Sequence, residues 1–175
     1  MSGHRLFVLG GARSGKSLYA QQRAEALGAP RLHYIATAEA WDAEMVERIA
    51  QHRADRGPRW ATVEAPLELA DQVAAMDAPD AVLLVDCLTL WTSNLLLAER
   101  DVEGAAEALC DALARFSGHI LLVANEVGLG IVPDNPLARR FRDLAGRLNQ
   151  QVAAVVDEVV FMAAGLPMTL KPAGR

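Results

Sequence analysis

Short apolar runs recur along the chain at 5–10, 32–36, 60–64, 81–86, 119–124 and 158–163, each about the length of a buried strand. The intervening segments 15–28, 41–56, 66–77, 88–98, 102–117 and 135–156 have helical composition. This β-α alternation predicts a mostly parallel sheet with helices on both faces, joined by right-handed crossovers. In the last helical segment, Leu137, Phe141, Leu144, Leu148, Val152 and Val155 recur at spacings of 4, 3, 4, 4 and 3, a sustained helical stripe. Gly128 to Pro136 is too rich in Gly and Pro for either neighbouring element. It reads as a loop at the C-terminal end of the fifth strand, the edge at which open α/β sheets bind ligands. The prolines of Leu166-Pro-Met-Thr-Leu-Lys-Pro172 confine that segment to a short edge strand.

The 175 residues suit one domain, 1–175, with a full-sized core. Although 52% of residues are hydrophobic, no uncharged apolar run reaches the roughly 18 residues of a membrane span. The N-terminus lacks the apolar region and cleavage site of a signal peptide, so a soluble cytoplasmic protein is expected. Cys87 and Cys110 have neither C-x-x-C spacing nor a His-rich neighbourhood, so both read as buried small apolar residues. A net charge of −5 argues against nucleic acid as a partner and makes any attraction for phosphate local.

The first apolar run leads directly into Gly10-Gly-Ala-Arg-Ser-Gly-Lys-Ser17, which fits the phosphate-loop pattern G-x-x-x-x-G-K-S. In such a loop, successive backbone N–H groups face one phosphate chain, Lys16 reaches the β- and γ-phosphates, and the Ser17 hydroxyl ligates magnesium. The helix that follows adds its N-terminal dipole. Asp86 ends the apolar run Ala81 to Val85, where a carboxylate holds magnesium opposite the loop or serves as a helix cap. Glu126, at the next strand end, either positions substrate or water or, with Asn125, orders the loop.

Trp41, Met45, Ile49 and His52 fall on one face of the second helical segment. His52 is therefore either a core histidine or a nucleophile aimed at an anionic phosphorus centre, with Arg53, Arg56 and Arg59 close behind it. His4, His33 and His119 have no metal-ligand spacing with one another. Arg139, Arg140, Arg142 and Arg147 decorate the polar side of the last helix, with Asp143 spaced for pairs to Arg140 and Arg147. A solvated face explains them, although Arg139 or Arg140 would meet a phosphate or a neighbouring subunit if the preceding loop lies at the site.

Gly10-Gly-Ala-Arg-Ser-Gly-Lys-Ser17, Tyr34-Ile-Ala-Thr-Ala38, Asp42-Ala-Glu-Met45 with Arg48-Ile-x-x-His52, and Asn125-Glu-Val-Gly-Leu-Gly-Ile-Val-Pro133 together resemble one family. It is the bifunctional adenosylcobinamide kinase/adenosylcobinamide-phosphate guanylyltransferase family of cobalamin biosynthesis. The run Leu137 to Gln150 also resembles that family's, so the resemblance extends over nearly the whole chain. The fold it implies is a single-domain, RecA-like phosphate-loop NTPase. The activities it implies are phosphorylation of a cobinamide hydroxyl by ATP or GTP, then transfer of GMP from GTP to that phosphate, giving adenosylcobinamide-GDP and pyrophosphate.

By the same resemblance, GMP passes through a phosphoramidate on His52, with Lys16 as the second catalytic residue. The implied nucleotide-binding positions are Gly10, Gly11, Ala12, Arg13, Ser14, Gly15, Lys16, Ser17, Ala36, Thr37, Ala38, Arg53, Ala54, Asp55, Arg56, Glu64 and Asp86. Ser17 and Asp86 are the implied Mg2+ positions, and a homotrimer is the implied assembly. Asp86 is Glu in some members of the family. Trp41, Trp60 and Trp91 are either core residues or platforms for the corrin ring. A different small-molecule phosphate-loop kinase, with His52 in the core, and a nucleotide-dependent switch protein are the competing readings.

Overall fold

A computed structural model describes residues 3–39 and 43–174, leaving out the side chains of Ala43, Glu44, Met45, Arg48, His52, Arg53 and Asp55. Its elements are β1 (Arg5–Gly10), α1 (Lys16–Glu25), β2 (Leu32–Ala36), α2 (Ala43–Arg56), β3 (Trp60–Glu64), α3 (Leu69–Ala75) and β4 (Val82–Asp86). There follow α4 (Leu88–Leu97), α5 (Val102–Arg115), β5 (His119–Asn125), α6 (Pro136–Val155), β6 (Glu158–Ala163) and β7 (Leu166–Lys171). The strands form one sheet in the order β3-β2-β4-β5-β1-β6-β7. The first six run parallel and β7 pairs antiparallel with β6 as an edge strand, where Pro167 is tolerated. No helix among the described residues is long and apolar enough to cross a membrane.

Because both faces of the central strands are covered, these strands are apolar without alternation: Phe7, Val8, Leu83, Val85, Leu122 and Val123 are all buried. The two layers are unequal. The larger core packs Leu88, Trp91, Leu109, Leu113, Leu148 and Val152 against one sheet face. The smaller places Ala20 and Ala24 of α1 against Leu6, Val8, Leu84 and Val123 on the other. Small residues on α1 let it approach the sheet closely, which brings its N-terminus to the strand ends.

Helix ends follow local chemistry. The Asn135 side chain accepts hydrogen bonds from the N–H groups of Leu137 and Ala138 at 2.8 and 3.2 Å, and Pro136 occupies the first turn of α6. Asp101 caps α5 through the Gly104 N–H. Trp60 and Trp91 are core residues whose indole N–H groups are satisfied by Glu25 at 3.0 Å and the Leu67 carbonyl at 2.8 Å, so neither offers a ring to a ligand. Trp41 and Asp42 lie outside the described residues. Cys87 is buried as expected, whereas Cys110 is only half-buried on α5.

The pairs expected for Asp143 do not form. Asp143 instead accepts from its neighbour Arg142 at 3.2 Å, while Arg147 reaches Glu103 on α5 at 2.9 Å. A carboxylate on the adjacent helix competes with the one a turn away, and helical spacing alone does not reveal it.

Candidate active site

Strand order sets the site. The phosphate loop leaves β1, but Asp86 ends β4, and β5 lies between them. The loop and the carboxylate are therefore separated by two strand spacings, about 10 Å, room for a nucleotide's phosphates. Gly10 pairs in register with Asn125, and the Glu126 N–H donates to the Gly10 carbonyl at 3.1 Å, which joins the end of β5 to the start of the loop.

Within the loop, Arg13 and Gly15 take left-handed backbone conformations (φ 55° and 90°) that turn the chain into α1. A Cβ at Gly10 would stand 2.4 Å from Ser14 Oγ and 2.9 Å from the Met162 carbonyl, so that position admits no side chain as arranged. Ser14 is buried and its hydroxyl has no hydrogen-bond partner. The Gly165 N–H, in the turn between β6 and β7, donates to the Ser14 carbonyl at 3.0 Å and braces the loop from outside. Lys16 is also buried, with Nζ 3.0 Å from the Gly11 carbonyl, so its ammonium is folded across the mouth of its own loop.

Asp86 and Lys16 both bear on Cys87, with opposite effects. The Cys87 thiol is pushed up to about 11, first by burial and then by the Asp86 charge, while Lys16 pulls it down. The Tyr34 phenol is pushed well above its usual range by burial, then by the Asp86 charge. Arg56, at the end of α2, opposes that shift and lies over the Tyr34 ring, its guanidinium carbon 3.4 Å from the centroid. The Arg56 Nε is buried without a hydrogen-bond partner.

A cleft of about 680 Å³ opens beside these groups, lined by Val46, Ile49, Ala50 and Ala54 of α2 and by Ala38, Glu39, Glu64 and Pro66 from the ends of β2 and β3. Position 52 lies in α2 between Ile49 and Arg56, but its side chain, like those of Arg53 and Asp55, is outside the described set. Thr37 is fully buried and its hydroxyl is used within the protein, donating to the Cys87 carbonyl at 2.7 Å and accepting from the Cys87 N–H at 2.9 Å. What residues 36–38 can offer a ligand is therefore backbone and Ala38, not the threonine hydroxyl.

Glu126 accepts from the Gly128 N–H at 2.7 Å and so orders its loop. Arg139 turns back onto the carbonyls of Pro133 and Asp134 at 2.8 and 2.7 Å, fastening the other end of that loop. Asn94 of α4 is a further member of the site that sequence reasoning did not single out. It joins the loops after β2 and β3, and an asparagine among the leucines of a largely apolar helix is its one visible signal. The remaining histidines sit away from the phosphate loop. His33 lies on β2, while His4 and His119 meet before β1 and at the start of β5, where the His4 N–H donates to His119 Nδ1 at 3.2 Å.

Magnesium fits this donor set. A serine hydroxyl and a carboxylate are hard oxygen ligands, and magnesium usually takes one or two such groups and completes its shell with water and phosphate. Among the described residues no cluster of three or more His, Cys, Asp or Glu side chains offers a site independent of nucleotide.

Residues 6–170 match the family described as cobinamide kinase / cobinamide phosphate guanyltransferase. The bifunctional adenosylcobalamin biosynthesis protein CobP of Pseudomonas aeruginosa is 49% identical over 169 residues, covering 95% of this chain and 97% of the relative. The corresponding CobU protein of Salmonella typhimurium is 41% identical over 183 residues, covering 95% and 99%. Among solved structures, the flagellar accessory protein FlaH of Methanocaldococcus jannaschii superposes with a TM-score of 0.57 at 13% identity, covering 98% of this chain and 80% of that one. The EscN ATPase of an enteropathogenic E. coli secretion system gives 0.58 at 13% identity, covering 93% and 43%. At those identities the structures speak to the fold alone, a single RecA-like phosphate-loop NTPase sheet. The family match, by contrast, runs from β1 into β7 and takes in the phosphate loop, the α2 cleft and Asp86, so the chain belongs to the cobinamide kinase / cobinamide phosphate guanyltransferase family.

Proposed function

We propose that the protein is a bifunctional enzyme of cobalamin nucleotide-loop assembly, an adenosylcobinamide kinase and adenosylcobinamide-phosphate guanylyltransferase. The observation that carries this reading is the family match over residues 6–170, which spans both a phosphate loop and a cleft walled by the helix that holds position 52. In the kinase step, the cobinamide hydroxyl attacks the γ-phosphorus of ATP or GTP, the bond to the bridging oxygen breaks, and the nucleoside diphosphate leaves. Lys16 exchanges the Gly11 carbonyl for phosphate oxygens, and the N–H groups of residues 10–17 hold the chain in line. Ser17 and Asp86 would hold Mg2+, which supplies charge neutralisation on the phosphates when bound.

In the guanylyl step, a His52 ring nitrogen attacks the α-phosphorus of GTP and pyrophosphate departs. The cobinamide phosphate oxygen then displaces the imidazole and yields adenosylcobinamide-GDP. Glu64, Ala36, Thr37 and Ala38 border the nucleoside, with Ala54 on the α2 side of the cleft, and Arg53, Asp55 and Arg56 complete the nucleotide-binding set. The exposed apolar residues Leu129, Ile131 and Val132 support contact of the 128–136 loop with a neighbouring subunit, in the homotrimer that the family resemblance implies. A cytoplasmic location completes the proposal.

The test is incubation with α-labelled GTP and magnesium, followed by peptide mapping. An acid-labile, alkali-stable GMP adduct on His52 is the expected result. Absence of any adduct, with nucleotide binding and γ-phosphoryl transfer intact, would leave a plain kinase.

A further inference from the structure

Asn94 lies on the buried side of α4, and its amide nitrogen donates to two carbonyl oxygens, those of Thr37 at 2.7 Å and Pro66 at 3.0 Å. Both amide hydrogens are thereby committed to loops that leave different strands, β2 and β3. The same two loops supply Ala38, Glu39, Glu64 and Pro66 to the α2 cleft. Thr37 carries the connection further. Its hydroxyl bridges the N–H and carbonyl of Cys87, and its own N–H donates to the Asp86 carbonyl at 3.3 Å. One buried side chain thus ties the floor of the cleft to the backbone that presents Asp86. The carbonyls it serves belong to irregular backbone that no strand partner would otherwise hold.

We propose that Asn94 is a positioning residue for nucleoside recognition: through Thr37 and Pro66 it sets the spacing of the two loops that form the cleft and keeps that cleft in register with the phosphate site. The inference rests on the proposed binding of the GTP nucleoside in the cleft. The phosphate loop lies across the sheet and is held by other contacts, the Gly10 and Ser14 carbonyls bonding Glu126 and Gly165. The phosphate loop is therefore held independently of Asn94, and disturbing Asn94 acts first on the cleft.

The experiment measures calorimetric binding of GTP, as its α,β-methylene analogue that cannot pass GMP to His52, and of inorganic tripolyphosphate, each with magnesium, to the full chain and its variants, alongside their unfolding temperatures. Asn94→Leu removes the donors at similar volume, and Asn94→Asp sets a carboxylate against two carbonyl oxygens. Both should weaken GTP by about tenfold or more and leave tripolyphosphate within about twofold. Unchanged GTP affinity, or proportional loss of both ligands, in a folded Asn94 variant would overturn the proposal. If the parent protein binds GTP no more tightly than tripolyphosphate, the cleft does not hold the nucleoside and the proposal falls with that reading. Discrimination by the parent that persists in the variants refutes the role of Asn94 alone.

Discussion

Arg56 at the end of α2 stacks on Tyr34 of β2, its guanidinium carbon 3.4 Å from the ring centroid. This contact fixes the last turn of the helix that carries position 52 against a strand whose tyrosine feels the Asp86 charge. A partly desolvated cation–π pair contributes on the order of 1 kcal/mol. Tyr34→Leu and Arg56→Gln should each destabilise the fold, and the double variant should fall short of their sum by about that amount. Chemical denaturation of the four proteins of this cycle measures the coupling, and strict additivity would mean that the stack contributes nothing.

Lys16 is buried but bonded to a carbonyl of its own loop, so its loss removes little that holds the fold. Lys16→Ala should lower kcat/KM for phosphoryl transfer by about a hundredfold or more, because it removes a donor aimed at developing charge. Stability should change by only about 1 kcal/mol. Steady-state kinetics with ATP, paired with thermal unfolding, separates the two effects.

His52→Ala should abolish GMP transfer while phosphoryl transfer to cobinamide continues. Assaying the two half-reactions separately checks this division. Equal loss of both, in a variant that unfolds like the parent, would place position 52 in the general architecture of the site.

Stability should decline as pH falls, through two groups remote from the phosphate loop. Glu158 accepts a bidentate pair from Arg23 at 2.8 and 3.2 Å and a bond from His4 at 2.9 Å, and these hold its carboxyl below the usual 4.5. The unfolded chain therefore takes up the proton first. The Glu158 contribution is complete above pH 4.5 and is lost as pH falls through the lower folded value. His119 is also held below its usual 6.5, by burial and then by His4, so the unfolded state gains relative stability as pH drops below 6.5. Glu158→Gln should cost about 1 kcal/mol at neutral pH, discounted for the partial exposure of Arg23, and should flatten the acid limb. Denaturation midpoints followed down through pH 4.5 test the sign.

The bounds of β2, β3 and β6 coincide with their apolar runs, because each run ends at a turn rich in polar residues, Gly or Pro. Helix ends are less legible: α3 starts at Leu69 rather than at 66, since Pro66 and Leu67 are held in a loop by Asn94 and Trp91. The phosphate loop and Asp86 stood out through motif and strand position. Thr37 was legible as a site position but not as a fastener, because its partner Cys87 is fifty residues away in sequence. Arg139 read as part of a solvated face, or as a partner for phosphate or a neighbour if its loop lay at the site, yet its hydrogen bonds close its own loop.

The sequence alone determined the alternation of strands and helices, the phosphate-binding turn and the acid at the end of β4, because hydrophobic period, glycine placement and motif spacing act over a few residues. Only the tertiary structure decided that β5 separates the loop from Asp86, that the β6–β7 turn braces Ser14, and that Asn94 and Thr37 join the cleft to the phosphate side. Strand order and buried polar bonds depend on which distant segments meet. That choice is made by burying both sheet faces at once and leaving no interior carbonyl without a partner, conditions that no local window of sequence contains.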